Sequence, residues 1–119
     1  MAPSGTGAII DRMAVNPERA SVLADIRSLT AAASPELEEV ERTLTDGYAH
    51  ALQLEMERLR LQRMLEQRAG ELDVAPPSEQ VAEITGLARG VAEADGELTK
   101  LRQALALLKE TAQRIRSAA

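Results

Sequence analysis

Residues 84–115, ITGLARGVAEADGELTKLRQALALLKETAQRI, decide the fold. With Ile84 at heptad position a, the a series reads Ile84, Val91, Leu98, Leu105, Ala112 and the d series Leu87, Ala94, Leu101, Leu108, Ile115. All ten seam positions are apolar, and such a stripe is buried only against another helix. Leu98, Leu101, Leu105, Leu108 and Ile115 are its large members, and they are the residues expected to carry assembly.

The partner helix is read from what precedes this stretch. In Asp73-Val74-Ala75-Pro76-Pro77 the prolines cannot continue a helix and restrain their neighbours, so a break is predicted at 73–77. Upstream, a second heptad runs through Leu37, Leu44, Ala51, Arg58, Leu65, Leu72 at a and Val40, Gly47, Leu54, Leu61, Arg68 at d. A break of five residues only reverses the chain, so the two helices run antiparallel. The spacing predicts helices over 35–72 and 78–117. The fold class is all-α, a long antiparallel helical hairpin of coiled-coil type spanning 34–119.

Residues 1–33 form a tail and a short helix in this reading. Asn16-Pro17-Glu18 suits a helix start over 17–32, because Asn caps, Pro fits the first turn and Glu favours the positive end of the dipole. Ser34-Pro35-Glu36 repeats the arrangement before the long helix. Ala8-Ile9-Ile10-Asp11-Arg12-Met13 adds a helical turn or two, and residues 1–7 are small and polar.

Composition agrees. The 119 residues include 45% hydrophobic and 28% charged side chains, but Tyr48 is the lone aromatic and there is no Phe, Trp or Cys. That disfavours β-sandwiches, barrels and disulfide-stapled domains, which lean on the missing chemistry. A net charge of −5 works against binding to phosphate backbones, so no nucleic-acid partner is expected. No apolar run approaches the roughly 20 residues of a membrane span, and Met1-Ala2-Pro3-Ser4-Gly5 lacks the form of a signal peptide. A cytoplasmic location and no membrane partner are the expectations. Twelve arginines against two lysines hint at a GC-rich, bacterial genome.

A two-helix seam buries little, and the sequence offers more. Leu52, Met56 and Leu59 form an i, i+4, i+7 stripe off the seam of the first long helix. Val22, Leu23, Ile26 and Leu29 form another in the short helix. The two stripes meeting within one chain would complete a three-helix bundle, and two hairpins pairing would make a dimeric four-helix bundle. A third outcome leaves the stripe for a different helical protein.

Catalytic chemistry finds no support. His50 is the sole histidine, with Asp46 at i−4 but no nucleophile, and no phosphate loop or metal-ligand spacing occurs. No catalytic residue, cofactor or metal is expected. Glu36, Glu38, Glu39 and Glu41 crowd a helix N-terminus, where the dipole suffices to explain them.

Arg58 and Arg68 interrupt the seam. If residue i faces roughly 150 − i across a hairpin folded near 75, Arg58 lies near Val91, Glu93 and Asp95, and Arg68 near Glu79 and Glu83. Cross-helix ion pairs that fix register are the main expectation. The alternative gathers Arg58, Arg60, Arg63 and Arg68 toward an anionic ligand or partner. Ala82, Gly86, Gly90 and Gly96 thin the last helix, which predicts either close approach of another helix or a loose section beside the turn.

The leading functional expectation is a non-enzymatic adaptor or regulator that works through coiled-coil contacts, as a homodimer. The alternative is a transcription-associated regulator that reaches a sigma factor or RNA polymerase through the hairpin or its acidic tip, Glu71, Asp73 and Glu79. The two-arm layout is compatible with secreted hairpins of the WXG type, but the turn lacks the Trp-x-Gly that would carry that resemblance.

Overall fold

Among the described residues, three helices form where the proline and heptad signals place them. The structure is a computed structural model describing residues 17–119, with side chains from residue 21 onward. Helix α1 spans Pro17–Ala31, α2 spans Leu37–Gly70 and α3 spans Ser78–Ala118. No strand occurs among the described residues. The expected cap at Asn16 and the turn at Ala8–Met13 lie outside them.

The ends differ slightly from expectation, for local reasons. α2 begins at Leu37, because its first helical bond runs from the Val40 N–H to the Glu36 carbonyl (3.0 Å). Glu36 therefore takes the capping position expected at Ser34, and half-buried Pro35 stays in the connection. At the other end, the Glu71 and Leu72 N–H groups reach Arg68 and Ala69 through i→i+3 bonds, which tighten the last turn and close the helix at Gly70. α3 opens with the Gln80 and Val81 N–H groups on the Pro77 carbonyl (3.0 and 3.2 Å). Proline supplies the acceptor there without needing a donor of its own.

The chain forms two compact units. One holds residues 17–50 together with Ala104–Ala119, and the other holds Ala51–Gln103. In the first, three helical segments share a core. Ile26 of α1, Val40 and Leu44 of α2, and Leu105, Leu108 and Ala112 of α3 are buried. Gly47 is their meeting point: a Cβ added there would stand 3.1 Å from Ile26 Cδ1. The glycine that interrupts the heptad thus opens the space that admits α1. Thr111 is buried in this unit with its hydroxyl turned back on the Leu107 carbonyl (3.3 Å), so the polar group is satisfied within its own helix.

The second unit is a two-helix antiparallel hairpin. Ala51 and Leu54 of α2 and Ala94, Leu98 and Leu101 of α3 are buried. Nearer the turn, Leu61, Leu65, Ile84, Leu87 and Val91 keep their seam positions but are only half-buried. Two helices cover a seam from two sides only, which leaves its edges wet. Here Gly90 lets Leu61 come close, its Cδ1 lying 3.3 Å from where a Cβ would be.

Candidate functional site

The outward side of α2 in the hairpin unit is the candidate. Leu54, 1% exposed, faces the seam. Leu52 and Met56 lie two residues to either side of it, about 200° around the helix at 100° per residue, and so point the opposite way. They are 59% and 62% exposed, with Leu59 at 40% completing the stripe. Of the three outcomes open to this stripe, cover by α1 is not the one seen, since Leu52, Met56 and Leu59 stay exposed. Ile26 goes to Gly47 and Leu105 in the other unit, where a missing side chain makes room.

The other assembly residues divide as their heptad positions dictate. Leu98, Leu101, Leu105 and Leu108 are buried and Ile115 is half-buried, so these belong to the scaffold. They hold the helices of their own chain together.

Both seam arginines find carboxylates across the hairpin. Arg58 Nε lies 3.3 Å from Asp95 Oδ1, and Arg68 Nε lies 3.6 Å from Glu83 Oε1, with a second contact to Glu71 at 3.6 Å. The register argued from the turn placed both partners. The guanidinium cluster proposed as an alternative is thereby divided, since Arg58 and Arg68 are engaged by acids of their own chain. Arg58 Nε is buried without a hydrogen bond of good geometry, so the Asp95 contact is a charge pair rather than a directed bond.

Two further cross-helix pairs escaped the sequence reading. Arg102 donates to Glu55 at 2.9 Å in the hairpin unit, and Arg116 donates to Glu41 in the three-helix unit. Both sit at seam edges, where a residue faces partners spread over a turn. The signal was present, since each acid lies on the flank of its heptad. Gly47 was also missed as a junction, being read as a gap in the d series.

Half-buried His50 lies on α2, and no group of three or more His, Asp or Glu side chains that could hold a metal ion exists among the described residues. A shallow groove in the three-helix unit is lined by Thr30, Leu107, Glu110 and Arg114, but it opens broadly to solvent. Among the described residues no helix is long and apolar enough to cross a membrane.

No protein-family model, no curated protein and no solved structure matches this chain.

Proposed function

We propose that this protein is a non-enzymatic helical adaptor that acts through coiled-coil contacts, with a homodimer as its working state. The observation that carries the reading is the stripe Leu52, Met56 and Leu59, exposed on the side of α2 opposite the buried Leu54. Single exposed leucines are ordinary, but three at heptad spacing on one helix face form a ready coiled-coil edge. The ion pairs from Arg58 and Arg68 set the register of the hairpin seam, and surface pairs of this kind specify more than they stabilise. The reading is tested by light scattering across a concentration series. A mass that rises from one chain toward two supports it, and a constant single-chain mass at millimolar concentration contradicts it.

A second reading draws on the hairpin turn. Val74 is fully exposed, Leu72 and Val81 are also open, and Glu71, Asp73 and Glu79 stand around them. An apolar tip ringed by acids suits a basic, partly apolar docking site on a sigma factor or RNA polymerase. Titration of purified polymerase and sigma factor with the chain tests it. Binding lost on Glu71→Lys/Asp73→Lys favours this reading, and binding that ignores the reversal removes it.

A further inference from the structure

We propose that the occupant of the outward α2 stripe is a second copy of this chain, packed parallel and in register. The inference rests on the coiled-coil reading above and adds the orientation.

The flanks of the stripe set the orientation. With Leu52 and Leu59 at d and Met56 at a of this outer stripe, Glu55 falls at g and Arg60 at e. In a parallel two-stranded coil, a g residue faces the e residue five positions later on the other chain. Glu55 of each copy then meets Arg60 of the other, twice by symmetry. An antiparallel pairing sets each edge against its own kind. The Glu55 edge continues with Gln62 and Ala69 and offers no cation, so the complementarity is lost.

Glu55 also accepts from Arg102 of its own chain, at Oε2. A carboxylate takes several donors, so one carboxylate serves both arginines. Arg60 is exposed and its guanidinium lies 3.7 Å from the Met64 sulfur, one turn away on the same helix. Arg63, one heptad after Met56, closes the apolar block, because two copies meeting there bring like charges together. The block is therefore short, well below the about 800 Å² per partner of a stable interface, and the dimer is weak and concentration-dependent.

The absence of cysteine from the chain provides a clean test. Leu52→Cys and Leu59→Cys are made separately in the full-length chain and oxidised at dimer-forming concentration. Parallel, in-register packing brings each new thiol beside its own copy, so both variants cross-link to dimers. Arg60→Glu, which sets Glu55 against a new acid in each copy, should raise the dimer Kd about tenfold at low salt, with helix content unchanged. Cross-linking at only one of the two positions, or a Kd indifferent to Arg60→Glu, overturns the parallel register while leaving a coiled-coil dimer standing. A chain that never dimerises overturns both.

Discussion

Gly47 of α2 lies so close to Leu105 of α3 that an added Cβ would stand 2.5 Å from Leu105 Cδ2. Real Cβ atoms do not approach so closely, and Leu105 is buried with Ile26 on the other side of the same gap. Gly47→Ala gains about 1 kcal/mol of helix propensity but loses about 1–3 kcal/mol to overpacking. The expected outcome is a lowered melting temperature by circular dichroism. A rise on this substitution would mean the junction is looser than its contacts indicate.

The opposite sign is expected at Gly86 and Gly96. Both are helical, and a Cβ at either would meet nothing within 4 Å. Gly86→Ala and Gly96→Ala should each stabilise the chain by about 0.5–1 kcal/mol, chiefly by restricting the unfolded state. Urea unfolding of the two variants checks this, and a lowered midpoint for either would show that the glycine serves an approach not visible in the monomer.

Arg58 occupies an apolar seam position, 27% exposed, with its charge facing Asp95 and its Nε without a good hydrogen bond. Partly exposed pairs are worth about 0–1 kcal/mol, and a leucine of similar reach would seal the seam. Arg58→Leu should leave stability unchanged or raised, and a double-mutant cycle with Asp95→Asn should give a coupling below about 1 kcal/mol. A loss beyond about 2 kcal/mol would make this pair a main stabiliser.

The hairpin was legible because it is written in periodicity. Ten apolar positions between Ile84 and Ile115, followed back through Pro76 and Pro77 to a second heptad, leave few other ways to bury the stripe. The partners of Arg58 and Arg68 followed from the same register. The docking of α1 was not legible, because its receptor is an absence of side chain: Gly47 reads as a flaw in the d series until Ile26 and Leu105 are seen converging on it. For the same reason Leu52, Met56 and Leu59 stood as one possible seat for α1 beside a second copy or another protein. Periodicity names a face but not the surface that receives it.

Local stability should fall toward the turn. In α3, Ala94, Leu98, Leu101, Ala104, Leu105, Leu108 and Ala112 are buried, whereas Ile84, Leu87 and Val91 are half-buried and Gly86 faces open space. Sparse burial lowers the free energy of local opening. Amide hydrogen exchange should show weaker protection over 82–96 than over 98–115, and equal protection would contradict the expectation.

The proposed function makes the outer face of α2 the surface through which two copies assemble. Sedimentation equilibrium of the native chain beside Met56→Glu tests it most directly, with circular dichroism on the same samples. The native chain is expected to self-associate and the variant to be a monomer of equal helix content, since an exposed glutamate leaves the fold intact and sets the new charges of the two copies against each other in the dimer. Identical association of the two proteins would contradict it.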